Sequence, residues 1–191
     1  MSHSQEQNRN VFTIECEDIV LREFQENDLD AFHALTWEPH FHAYLTDWNV
    51  AREQREEWFL QYEIPDNKRF LDAVAQDGDI GELRLRLGII LKATGQFIGV
   101  CGTGIKDELP APNREILYGI SSGHRNKGYT TQAAQGLIKF LFDHTNVTEL
   151  IAIAEISNLP SNKVIQKCGF VFQNDVVIDH QNYHYYKLSA N

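Results

Sequence analysis

The 191-residue chain is poor in basic residues, poor in cysteine and free of long apolar runs, and each shortage excludes something. Its 17 Lys and Arg stand against 27 Asp and Glu, a net charge of -10. A nucleic-acid-binding face needs the opposite balance. Acidity is compatible with a cationic substrate, and equally with solubility alone. Cys16, Cys101 and Cys168 are too few and too scattered for a disulfide framework or a zinc site, and their apolar neighbours mark them as small core residues. No apolar run approaches the ~18 residues of a membrane helix. The polar start MSHSQEQNRN has no signal-peptide core, so the expectation is a cytoplasmic protein with residues 1–10 as a flexible tail. Without repeats, low-complexity tracts or linkers, residues 1–191 read as one domain.

What is there is a clear alternation of periods. Residues 12–24 are extended. Asn27 with Asp30 resembles a capping box opening a helix through Leu29, Phe32 and Leu35. A second helix is expected from Val50 to Tyr62, stopping before Pro65, and a third helical segment at 67–76. Leu83, Leu85, Leu87, Ile89 and Leu91 alternate as in a strand with one buried face, and KATGQ turns it into FIGVCGTG. REILYGIS is the next strand. Ala134, Leu137, Ile138, Leu141 and Phe142 give an amphipathic helix over 130–144. ELIAIAEI is a strand covered on both faces, which makes a βαβ unit with parallel outer strands. A short helix between Pro160 and Gly169 and two strands, FVFQNDVVI and NYHYYKL, complete an α+β chain with a mixed sheet.

HRNKGYTTQ (124–132) lies between the strand ending near Ile120 and the 130–144 helix. Free N–H groups and the positive end of the helix dipole converge there, which suits a phosphate. Gly128 lets the backbone approach an anion, and Arg125 and Lys127 add charge. A glycine turn of this kind is a weak signal alone.

RNKGYT (125–130) resembles the R-x-x-G-x-[G/A] acetyl-CoA pyrophosphate loop of the GNAT N-acetyltransferase superfamily. EISNLPSNKVIQKCGFVF is similar to that superfamily's N-x-x-S…K-x-G-F signature, above all in the ribosomal-protein N-terminal (Rim-type) branch. DIVLREFQENDLDAF is similar to that branch's opening, and ATGQFIGVCG to its hairpin. The resemblance covers about residues 11 to 188 with its motifs in order. Thr130, Gln132, Leu117 and Gly119 depart from the usual pattern. The fold it implies is a GNAT-type mixed, mostly antiparallel sheet with a splayed parallel strand pair and flanking helices.

The activity implied by the resemblance is transfer of acetyl from acetyl-CoA to a primary amine, first of all a protein N-terminal α-amino group. Acetylation of a small amine (antibiotic or polyamine) and a non-catalytic acetyl-CoA-binding module are the alternatives. The resemblance places the coenzyme on Ile120, Arg125, Asn126, Lys127, Gly128, Tyr129, Thr130 and Asn158. It makes Ser161 the proton donor to the departing thiolate, where the residue type alone reads as a helix-start hydroxyl. Asn158, which also reads as a helix cap, is placed beside it in the catalytic set. Glu115 is the candidate general base, with Glu155 as the alternative and an exposed strand carboxylate as the plain reading. Trp37 and Tyr44 are candidates for the acceptor side, together with Trp48, although ordinary packing explains such aromatics equally well. His40-x-His42 reads as a helix lining and His184 as strand packing, so no metal is expected. The partners expected are acetyl-CoA and an amine acceptor, without nucleic acid or membrane; a homodimer is compatible with the sequence.

Overall fold

The structure, a computed structural model, describes residues 11–190; the flexible tail expected at 1–10 lies outside the described residues. Residues 12–24 divide at a turn into β1 (Thr13–Glu15) and β2 (Ile19–Glu23). Then come α1 (Leu29–Thr36), α2 (Pro39–His42), α3 (Arg52–Trp58) and α4 (Ile64–Gln76). β3 (Leu85–Leu91), β4 (Phe97–Ile105) and β5 (Arg114–Ile120) follow, then α5 (Tyr129–His144), β6 (Glu149–Glu155) and α6 (Leu159–Lys167). β7 (Val171–Ile178) and β8 (Gln181–Ser189) close the chain.

The strands form one sheet in the order β1-β2-β3-β4-β5-β6-β8-β7. Neighbours are antiparallel except β5 and β6, which are parallel as the βαβ reading requires. That parallel pair is joined at a single register position, Glu115 opposite Ile151. Beyond it the two strands diverge toward their C-terminal ends. This is a mixed α+β fold, mostly antiparallel, with a splayed pair at its centre.

Two apolar layers hold the sheet. On one face, Leu137, Ile138 and Leu141 of α5 pack on Leu85, Leu87, Ile116 and Leu150. On the other, Phe32, Leu35 and Phe59 of the early helices pack on Phe24 and Val100. β3 is therefore covered on both faces, not on one. Its alternate residues are Arg86, Gly88 and Ile90, and Arg86 lies under the early helices, paired with Glu63.

Two local expectations are corrected. The start of the first helix is held by Asp28, whose carboxylate accepts the Gln25 N–H at 2.8 Å and Arg22 at 2.6 Å. Asp30 instead pairs with Arg52 at 2.7 Å. The helix after Val50 also does not stop before Pro65. A wide turn over Phe59–Glu63 carries it into α4, the Ile64 N–H reaching the Phe59 carbonyl five residues back. Proline lacks an N–H and crowds the carbonyl four residues earlier, and one widened turn accommodates both effects.

Candidate active site

The divergence of β5 from β6 opens a cleft of about 920 Å³, bounded by the 124–131 loop, the start of α6, α2 and the β7–β8 turn. Its floor and walls bring together most of the residues singled out in the sequence: Glu115, Ile120, Arg125, Asn126, Lys127, Gly128, Tyr129, Thr130, Asn158, Ser161 and Tyr44. Trp37 is not among them. It stands outside, 52% exposed, its indole N–H donating to the Val50 carbonyl at 3.1 Å. Trp48, further along the same segment, does line the cleft.

The loop is shaped by two residues with left-handed backbone, Asn126 (φ 61) and Gly128 (φ 84), the latter preceding α5. The first α5 bond is donated by the Gln132 N–H to the Gly128 carbonyl at 3.0 Å. The N–H groups of residues 126 to 131 consequently find no backbone acceptor among the described residues. A run of unpaired donors at a helix start, with positive-φ residues folding it into a hollow, is an anion cradle. A Cβ built on Gly128 meets nothing within 4 Å, so glycine is required there by its φ and not by crowding. Arg125 and Lys127 are exposed on the rim. His124 is turned to its own loop, its Nδ1 2.7 Å from Ser121 Oγ.

Across the cleft, Asn158 caps α6, its Oδ1 accepting the Ser161 N–H at 3.3 Å, which leaves its amide N–H₂ to the cleft. Asn162 fixes the turn by donating to the carbonyls of Glu155 and Asn158, both at 2.9 Å, while accepting from Tyr186 at 2.7 Å. The Ser161 carbonyl accepts from Tyr118 of β5 at 3.1 Å, a bond that ties α6 to the strand opposite. Burial pushes the Tyr118 phenol far above its ordinary value, so it stays a neutral donor. Ser161 lines the cleft beside it.

Glu115 stands where the strands part. Burial raises its carboxyl to about 7, Lys106 opposing that rise and Glu108 adding to it. Lys106 is itself engaged by Glu108 at 3.0 Å. Glu155 also lines the cleft and accepts the Ser157 hydroxyl at 3.3 Å.

Of the departures from the resembled pattern, Gln132 and Gly119 have contacts that account for them. Gln132 faces away from the cleft and clasps Asp18, accepting its N–H at 2.9 Å and donating to its carboxylate at 2.7 Å. Gly119 leaves room for the Phe41 ring, which would lie 2.2 Å from any Cβ there. His40 anchors α2 beside it, its Nε2 2.8 Å from the Ile120 carbonyl. Leu117 lines the cleft floor between Glu115 and Gly119.

Sequence reasoning missed Arg86. It lines the cleft with its guanidinium 4.5 Å from the Trp48 ring centre and 2.9 Å from Glu63. Glu63 also takes Arg55, at 3.2 Å. Burial draws both guanidiniums below their ordinary value, with Glu63 pulling the other way. On an alternating strand, Arg86 reads as a solvated residue, and nothing in the strand itself signals the helices above it.

Residues 18–171 match the acetyltransferase (GNAT) domain family. The chain is similar to the uncharacterized N-acetyltransferase p20 of Bacillus licheniformis, 34% identical over 85 residues, 44% of this chain and 47% of p20. It is similar also to the uncharacterized N-acetyltransferase YnaD of Bacillus subtilis (strain 168), 24% identical over 153 residues, 79% of this chain and 78% of YnaD. The chain thus spans about half the length of p20 and most of YnaD. Among solved structures, a GNAT-family acetyltransferase from Bacillus anthracis superimposes with TM-score 0.75 at 20% identity, over 93% of this chain and 98% of that one. RimL, a ribosomal L7/L12 α-N-protein acetyltransferase, gives 0.73 at 17% identity, over 94% and 95%. The aminoglycoside acetyltransferase AAC(6')-Ib, in complex with paromomycin and acetyl-CoA, gives 0.68 at 18% identity, over 91% and 94%. At such identities the structural likeness is one of fold. The family match takes in most of the chain, including the splayed strands, the 124–131 loop and all of α6, and on that ground the chain belongs to the GNAT acetyltransferase family.

Proposed function

We propose that the protein transfers the acetyl group of acetyl-CoA to a primary amine, and that this amine is the α-amino group of a protein N-terminus. The observation that carries the reading is the run of unpaired N–H groups from 126 to 131, facing the same cleft as Glu115, Asn158 and Ser161. The coenzyme pyrophosphate sits on those donors, with Arg125 and Lys127 assisting and the backbone of Ile120 beside the pantetheine arm. Such a cradle suits the ligand seen in the complex of AAC(6')-Ib with acetyl-CoA.

The chemistry follows from the side chains. The neutral amine attacks the thioester carbonyl, and strand N–H groups freed by the splay stabilise the oxyanion, at about 3 kcal/mol per well-placed donor. The tetrahedral intermediate collapses by breaking the C–S bond, and the thiolate takes a proton from Ser161. Glu115, with its carboxyl near 7, receives the proton that the amine loses, directly or through a water. An α-amino group, with an ordinary pKa of ~7.7–8.0, loses its proton readily to such a base; a lysine or polyamine nitrogen near ~10 does not. Tyr44 is on the acceptor side.

Acetylation of a small polycationic amine is the second reading, favoured by one observation: Asp47, Glu108 and Asp179 place acidic groups around the acceptor end. A panel of N-terminal peptides, aminoglycosides and polyamines, followed by CoA release, separates the two. The first reading expects the highest kcat/KM with peptides and is abandoned if only the polycations turn over.

A further inference from the structure

Arg86 holds a position that the transfer chemistry leaves unused. On β3 it lies opposite Gly102 of β4, and Gly102 lies opposite Leu117 of β5, so these residues form one row across the sheet. The next row along β5 contains Glu115, opposite Gly104. Glu115 therefore lies on the same sheet face as Arg86, one row along, about 6.7 Å, and two strands across, about 9.6 Å. A Cβ built on Gly102 would lie 2.5 Å from the Leu85 carbonyl and 3.2 Å from Arg86 Cγ, so the strand beside the arginine is held to glycine. The guanidinium is fixed by Glu63 at 2.9 Å and by the Trp48 ring at 4.5 Å, and the side chain keeps 21% of its surface open where it lines the cleft.

The charges around it do not balance. Arg55 and Arg86 share Glu63 Oε1, while Glu63 Oε2 and Arg55 Nε are buried without a partner among the described residues. The nearest other carboxylate on that side, Asp66, is taken up by Arg69. Two guanidiniums thus pair with one carboxylate, which leaves Arg86 incompletely matched by its own ion pair beneath the acceptor half of the cleft. An excess charge held away from water is unfavourable unless something completes it. Of the five N–H donors a guanidinium carries, the Glu63 contact uses the Nη1 end of Arg86, and the others meet no side-chain acceptor among the described residues.

We infer that Arg86 recognises the oxygen next to the reacting amine, so that the acceptor is an α-amino compound with a carbonyl or carboxylate on its amine-bearing carbon. This rests on the proposed acetyl transfer and narrows its acceptor. With the amine at Glu115, the carbonyl or carboxylate of such a compound extends across the cleft floor toward the Arg86 guanidinium, which comes over the same sheet face from two strands away. A polyamine or aminoglycoside would bring an ammonium against the guanidinium instead. The acidic rim at Asp47, Glu108 and Asp179 draws amines in, and Arg86 sorts them. Two sources share this chemistry, a peptide N-terminus and a free amino acid.

The test compares kcat/KM for three acceptors, an alanyl tripeptide amide, free alanine and ethylamine, in the wild type and in Arg86→Gln and Arg86→Lys. Glutamine removes the excess charge and leaves Arg55 and Glu63 as a balanced pair; lysine keeps the charge should the glutamine variant not fold. Melting curves and acetyl-CoA titrations establish that each variant is intact. The expected result is a wild-type preference for the α-amino carbonyl acceptors over ethylamine. That preference falls about tenfold or more in Arg86→Gln, through KM and not kcat, and is partly restored by lysine. Preference for the tripeptide supports the N-terminal source. Preference for free alanine supports the inference while overturning the N-terminal reading. An unchanged preference in the folded variants overturns the inference alone, whereas a wild type that favours ethylamine overturns both the inference and the N-terminal reading while leaving acetyl transfer in place. No acetylation of any amine overturns the transferase reading and the inference with it.

Discussion

Glu115 titrates near neutrality because it is packed into the wall of the cleft, where desolvation outweighs the pull of Lys106. Two consequences follow at this one residue. As the proposed base it works only when ionised, so kcat/KM is expected to rise with pH through about 7 in the wild type. In Glu115→Gln it is lower by roughly 10²-fold and loses that limb, which a pH–rate profile reads directly. The stability effect has the opposite sense. The native carboxyl holds its proton more tightly than the unfolded chain does, so native stability falls as pH rises from the unfolded value of 4.5 through about 7. Glu115→Gln removes that fall and melts higher than the wild type above neutrality, and lower or no differently at acid pH. Ser161 offers a test of another kind. Its backbone is held by Asn158 and Tyr118 whatever its side chain, so Ser161→Ala leaves the fold and the acetyl-CoA affinity intact. The expected loss is roughly 10²-fold in kcat, measured by stopped or steady-state CoA release.

Among the elements, the contact of α2 with β5 sets the width of the acceptor side. The Phe41 ring fills the space that Gly119 leaves open, and His40 ties the same helix to the Ile120 carbonyl. Gly119→Ala cannot be absorbed by a flexible chain end, because the ring is buried on its other sides. It therefore displaces α2, lowering the melting temperature by several degrees, about 1–3 kcal/mol for an overpacked site, and raising KM for the acceptor more than for acetyl-CoA.

The same region shows where the sequence stopped being legible. The 130–144 helix is legible from its apolar period, the covered strand at 149–155 from its unbroken apolar run, and the Pro160–Gly169 helix from its start and stop residues. Arg86 is not, because alternation on β3 says which side chains point away from α5 but not what covers them. Asp28 was passed over for Asn27 and Asp30, since several acidic and amide residues fall near that helix start and only the tertiary pull of Arg22 selects one. Pro65 was read as a stop because a widened turn leaves no mark in the pattern of apolar residues. Trp37 and Trp48 lie in one segment with similar neighbours, and only the course of the chain around α2 puts Trp48 in the cleft and Trp37 outside.

At the scale of the molecule, the cleft has two electrostatic ends. Arg125, Lys127, Lys163 and Lys167 line the end beside the 124–131 loop, and Asp47, Glu108 and Asp179 line the other. A chain with a net charge of -10 has thus gathered basic residues where an anionic coenzyme would lie. On the proposed reading, coenzyme binding there is divided between fixed backbone donors and movable charges, with the donors primary. Isothermal titration of acetyl-CoA into the wild type and into the Arg125→Glu/Lys127→Glu variant measures that division. The account predicts a saturable single site in the wild type, with affinity roughly tenfold or more weaker in the variant and the gap narrowing as salt is added. No heat of binding in the wild type, or an affinity untouched by reversing both charges, would contradict it.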